Sequence, residues 1–153
     1  MSATRKARAT WHGDLLKGQG TVSGGSSEHL REAPISWPAR TESADGKTSP
    51  EELLAAAHAS CYAMALSAGL AKNGTPPERL DVAATVRFDK VLDAWAVASS
   101  ELELRAAVPG IDEGTFTRIA QEAKEGCPIS KALKGNVAVS VTAVLEPSES
   151  RVS

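Results

Sequence analysis

The chain has 153 residues, 42% hydrophobic and 24% charged, which is enough for one core and most simply one domain spanning residues 1–153. A net charge of −2 excludes attraction of nucleic acid or an anionic membrane by bulk charge. Two cysteines, Cys61 and Cys127, are too few for a secreted disulfide framework. The first thirty residues carry charges and no apolar core of signal-peptide length, so a cytoplasmic chain is expected. In that reducing compartment a cysteine pair is either two inert buried thiols or a redox couple, and number alone favours the inert reading.

Taken in order, "KARATWHGD" alternates, with Ala7, Ala9 and Trp11 on one side, and predicts a first strand. "GQGTVSGGSSEHLREAPISWP" predicts short strands broken by glycine turns. Residues 38–48 are polar and aperiodic, which predicts a loop. Ser49, Pro50 and Glu52 form a capping box with proline at the first helical position, so a helix is predicted from there to about Lys72, ended by "NGTPP".

The uncharged run Leu53 to Leu70 in that helix has the length of a membrane span. Seven of its eighteen residues are alanine and only five are bulky and apolar, so it reads as a helix buried inside a protein, where small residues allow close packing. It is apolar on nearly every side and asks for cover all round.

"RLDVAATVRFDKV" alternates, with Leu80, Val82, Ala84, Val86 and Phe88 facing one way. "WAVASSELELRAAV" is another strand whose apolar phase slips near Ser99, which predicts a bulge. A second helix over 113–126 shows Phe116, Ile119, Ala120 and Ala123 on one face. Pro128 interrupts it, "ISKAL" adds one turn, and "NVAVSVTAVLE" is a closing strand. The order of strands, long helix, strands, helix and strand predicts an α+β fold with antiparallel sheet.

Glu51, His58 and Cys61 fall within about 80° of one another around the first long helix. An ordinary thiol has a pKa near 8.5, and burial raises it. A nucleophilic Cys61 therefore needs a positive charge from elsewhere; one close arginine, oriented by a carboxylate such as Glu51, would supply most of it. Equally, Glu51 can simply suit the helix dipole. With no CxxC or HxxxH spacing, a zinc site is not expected, and His58 reads as a buried histidine with a hydrogen-bond partner. Gly24-Gly25 is too short for a nucleotide loop. Cys127 stands at a break in the backbone ahead of Pro128, where a thiol can meet a partner.

"TSPEELLAAAHASCYAMAL" and "VPGIDEGTFTRIAQEAKEGCPISKAL" closely resemble the OsmC/Ohr family of thiol-dependent organic hydroperoxide reductases, and "ATWHGDLLKGQGTVS" fits the family's N-terminal part. The likeness spans about residues 5–146, and "AAAHASC" is similar to the OsmC branch. The resemblance implies Cys61 as peroxidatic cysteine, Cys127 as resolving cysteine, and Glu51 as the glutamate that pairs with a catalytic arginine, best matched by Arg40. It also implies an intertwined α+β homodimer with the long helices central and two active sites at the subunit interface. The implied substrates are an organic hydroperoxide and a dithiol reductant, possibly carried on a lipoylated protein. It implies no metal, haem or flavin, no nucleic acid and no membrane partner. A redox-sensing or hydroperoxide-binding protein would use the same cysteine pair without turnover, and a structural stress protein would hold both thiols inert.

Overall fold

A computed structural model describes residues 1–147 and divides the chain into two compact units, Met1–Leu53 and Leu54 onward. The first unit holds a three-stranded antiparallel sheet of β1 (Ala7–His12), β2 (Gln19–Gly24) and β3 (Ala33–Ile35), in that order. Both faces of β1 are exposed, Trp11 included, so the alternation forms a strand without a buried side in this chain.

The predicted loop at 38–48 is partly a helix. Residues Trp37–Thr41 form α1, begun by Ser36, whose side chain accepts from the Ala39 N–H, with Pro38 in the first turn. Five residues are too few for helical periodicity to show, and the cap and proline are the only local signals.

The long helix α2 runs Pro50–Lys72, as the capping signals require. Ser49 Oγ accepts from the Glu52 N–H at 3.1 Å, while the Glu52 carboxylate turns to the Thr48 hydroxyl instead of completing the box. At the far end Gly74 takes φ +84°, Gly74 N–H bonds Ala71 O and Thr75 N–H bonds Leu70 O. That is a Schellman close, and it needs a left-handed residue at the glycine.

The second unit contains the rest of α2, a three-stranded sheet, and two further helices. Strands β4 (Arg79–Val91) and β5 (Ala94–Ala107) pair antiparallel across a tight turn at Leu92 and Asp93, both with positive φ. Arg87 pairs Ser99 while Phe88 pairs Val97, so Ala98 is the extra residue of the bulge that the phase slip near Ser99 predicts. Helix α3 (Glu113–Gly126) buries Phe116, Ile119, Ala120 and Ala123, the four residues of its predicted apolar face. A six-residue helix α4 (Pro128–Leu133) follows, then β6 (Ala138–Leu145).

The α+β architecture stands, with one departure from antiparallel pairing: β6 lies parallel to β5. Parallel neighbours need a crossover, and α3 with α4 provide it.

The core of this unit gathers Tyr62, Leu66 and Leu70 of α2, Leu102 and Leu104 of β5, Phe116, Ile119 and Ala120 of α3, and Cys127. Ile119 Cγ2 lies 3.1 Å from where a side chain on Gly69 would begin, so the small residue lets α2 and α3 approach. Among the described residues α2 is the one helix long and apolar enough to cross a membrane by length and composition. One stripe of it is nonetheless fully enclosed by protein.

The packing sets a contrast between adjacent residues. Phe116→Ala is expected to cost about 3–5 kcal/mol of stability. Thr117→Ala, on the exposed side of the same turn, should stay within about 0.5 kcal/mol. Urea denaturation of both variants checks which face of α3 is buried.

Candidate active site

Pro128 has no N–H to give to the helix before it, so α3 ends and the chain leaves it at Cys127, whose backbone is extended (φ −61°, ψ 123°). Cys127 closes α3, with its N–H on Ala123 O, and starts α4, with its carbonyl accepting from Lys131 N–H. This double role points its side chain into the core, where it is fully buried. Cys61, half-buried on α2, packs against the same cluster. Both are free thiols.

The surroundings treat the two sulfurs differently. Burial pushes the Cys61 thiol up; the Ile129 N–H pulls against this, and neighbouring Cys127 adds to the rise. Burial also works against a Cys127 thiolate. There the Ser130 N–H, the Cys61 thiol, the Ser130 hydroxyl and the Ile129 N–H together outweigh it, and Cys127 lies below its ordinary value. Burial opposes a thiolate at both sulfurs. Any activation of Cys61 has to come from a further positive group.

Arg40 on α1 and Glu51 in the first turn of α2 form a bidentate ion pair within the first unit. Arg40 Nε donates to Glu51 Oε1 and Nη2 to Oε2, each at 2.9 Å. The Arg40 guanidinium carbon also lies 5.9 Å from the Trp37 ring centroid, over one turn of α1. The Glu51 side chain is 9% exposed and that of Arg40 30%. Glu52, the capping residue, takes no part in the pair.

His58 is fully buried and bonded at both ring nitrogens, as its sequence context predicts. Nδ1 lies 2.6 Å from Ser100 Oγ on β5 and Nε2 lies 2.8 Å from Ser130 Oγ on α4. Burial holds its pKa below the ordinary value. Ser100 and Ser130 escape a reading of the sequence because they lie 42 and 72 residues from His58. The one local signal was a serine three residues into the helix that Pro128 starts. Tyr62 completes the surroundings; its hydroxyl donates to Ala120 O, and burial, then the charge of Cys127, push its pKa up. Among the described residues no cluster of three or more His, Cys, Asp or Glu side chains is arranged to hold a metal ion.

The buried histidine makes a pH prediction. In the unfolded chain His58 regains a pKa near 6.5, so below that the unfolded state binds a proton that the folded state resists. Its stabilising contribution is complete above pH ~6.5 and is lost as pH falls, at up to about 1.4 kcal/mol per pH unit. Urea midpoints between about pH 6.5 and 5 should fall for the parent and be flatter for His58→Phe.

A family model described as OsmC-like protein matches residues 43–142. The chain is 44% identical over 137 residues to Peroxiredoxin OsmC of Escherichia coli (strain K12), an alignment spanning 90% of this chain and 94% of that protein. It is 30% identical over 136 residues to an Organic hydroperoxide resistance protein of Xanthomonas axonopodis pv. citri, covering 84% of this chain and 94% of the other. The fold matches the crystal structure of the organic hydroperoxide resistance protein OhrB of Bacillus subtilis, with a TM-score of 0.69 at 23% identity over 91% of this chain and 98% of that one. The α+β fold, the family model and the nearly full-length identity agree, and this chain belongs to the OsmC family.

Proposed function

We propose that this chain is a cysteine-based peroxidase that reduces organic hydroperoxides to alcohols. The observation that carries the reading is that two free thiols, Cys61 and Cys127, pack into one core cluster of a single chain. The relatives named for peroxiredoxin activity and organic hydroperoxide resistance support it.

In this reading the Cys61 thiolate attacks the terminal peroxide oxygen, the O–O bond breaks, and the alkoxide leaves and takes a proton as alcohol. Cys61 is left as a sulfenic acid. Cys127 sulfur then attacks Cys61 sulfur; the S–O bond breaks, and the oxygen leaves as water with the thiol proton. A dithiol of lipoyl type reduces the disulfide and is itself oxidised. Arg40 is the positive charge that Cys61 requires, and Glu51 fixes its fork; the bidentate pair supports these roles.

The reading also includes a homodimer in which each chain acts as a single domain. Three features support it. Ala56, Ser60, Met64 and Ala68 form an exposed stripe along α2, with Met64 68% exposed. β1 has no buried face. The β4–β5 tip exposes Val91, Leu92 and Trp95. A second copy covering these surfaces would meet the demand for cover all round α2.

Cys61→Ser should abolish consumption of an organic hydroperoxide with excess dihydrolipoamide while the chain stays folded; appreciable turnover would remove Cys61 from the mechanism. A parent chain that oxidises once and is not re-reduced by the dithiol would instead be a redox sensor. Arg40→Ala is expected to raise the Cys61 pKa by about one to two units, and Glu51→Ala by less, because a charge-assisted hydrogen bond contributes about 1.5–3 kcal/mol. Sedimentation at low micromolar protein should give one species of twice the 15.9 kDa chain mass, with a thermal midpoint that rises with concentration. An active, folded monomer would defeat the dimer.

A further inference from the structure

The fully enclosed stripe of α2 runs through His58, Tyr62, Leu66 and Leu70, one turn apart. The last three fill the core with rings and hydrocarbon. The first, at the end nearest Cys61, is an imidazole, where a leucine would fill the stripe with no polar group to satisfy. Both ring nitrogens of His58 are taken, by Ser100 Oγ at 2.6 Å and by Ser130 Oγ at 2.8 Å. With no free nitrogen and no exposure, His58 cannot exchange a proton with a substrate. What it does is join three elements, α2, β5 and α4.

Helix α4 has six residues, too few to be stable alone, so its position depends on what it packs against. Its start has no side-chain cap bond, and Ser130 is its one buried residue. Ile129 packs against the core from a half-buried position. The short helix is therefore anchored through a hydroxyl. Apolar contacts have no preferred direction and tolerate sliding. A hydrogen bond weakens steeply as its distance and angle change, and a fully satisfied buried network fixes one arrangement.

Each end of this bridge adjoins a cysteine. His58 precedes Cys61 by three residues on α2, which makes them neighbours on the helix surface. Ser130 follows Cys127 by three residues, within the turn that the Cys127 carbonyl closes by accepting from the Lys131 N–H. One hydrogen bond, between His58 Nε2 and Ser130 Oγ, thus ties the turn that carries Cys61 to the turn that carries Cys127. Ser100 on β5 holds the ring that makes it.

We infer that the Ser100–His58–Ser130 bridge is a positioning device that holds the Cys127 break in register with the Cys61 turn and so raises the effective concentration of one thiol at the other. It rests on the proposed pairing of the two cysteines, and the oxidant plays no part in it. None of the three residues touches peroxide; they act through the backbone that carries each cysteine. Because linkage is reciprocal, the bridge must be at least as strong in the disulfide form as in the dithiol.

The test equilibrates the full chain with mixtures of reduced and oxidised glutathione. One glutathione disulfide is reduced to two thiols for each Cys61–Cys127 disulfide made, and mass spectrometry after quenching counts the two forms. Ser130→Ala should lower the effective concentration about tenfold, which raises the reduction potential by about 30 mV. Ser130→Thr keeps the hydroxyl, and a cavity of about 210 Å³ beside residue 130 leaves room for its methyl, so it should restore the parent value. His58→Leu should match Ser130→Ala, and Ser100→Ala should follow by less. Ile119→Val is the control: it loses a buried methyl on α3, two turns before Cys127, and should lower the urea midpoint while the effective concentration stays within about twofold. A value for Ser130→Ala within about twofold of the parent overturns the inference, and so does an equal fall in Ile119→Val. Should Ser130→Ala fail to fold, nitrogen-15 spectra of the parent decide. The His58 Nε2 signal should keep its hydrogen-bonded position on oxidation, and a move to that of an unbonded nitrogen overturns the bridge's role. A parent that forms no Cys61–Cys127 disulfide overturns it too. A parent that forms the disulfide with glutathione but consumes no cumene hydroperoxide defeats the peroxidase reading and leaves the bridge standing.

Discussion

Proline cannot donate a backbone hydrogen bond, so the helix capped by Asp112 must stop when it reaches Pro128. The chemistry of the second unit depends on that stop. Had α3 continued, residue 127 would be one more position on a regular surface. Because it ends, Cys127 closes one helix and opens the next, its side chain is buried in the core against which Cys61 packs, and the first turn of α4 brings Ser130 to His58. The same break redirects the chain so that β6 returns parallel to β5.

That arrangement solves one electrostatic problem and leaves another. A buried thiolate is costly unless donors face it, and Cys127 has them. Cys61 shares the burial and gains less from the nearby backbone, so its thiol is pushed up. A peroxidase needs a Cys61 thiolate in its first step. The Arg40–Glu51 pair supplies, in the proposed mechanism, the charge that favours that thiolate while peroxide is attacked.

How much of this was legible in the sequence varies with range. Helix α2 was, because its cap and its glycine stop are local, and so were the bulge at Ala98 and the buried face of α3, because a change of period shows within a few residues. Helix α1 was not, since five residues cannot display a 3.6-residue repeat, and so Arg40 was expected in a loop. The parallel direction of β6 was not legible in its own alternation, which is the same either way; the two helices ahead of it were the usable sign. Both cysteines stood out by scarcity. Ser100 and Ser130 did not, because serines are common and only the fold brings them to His58.

The central claim, that Cys61 and Cys127 of one chain form the working couple, is tested most directly by peptide mapping after one equivalent of organic hydroperoxide. The account requires one disulfide per chain linking Cys61 to Cys127 within the same polypeptide, together with one equivalent of alcohol. Alcohol release with no such linkage, or a linkage that joins different chains, would contradict it.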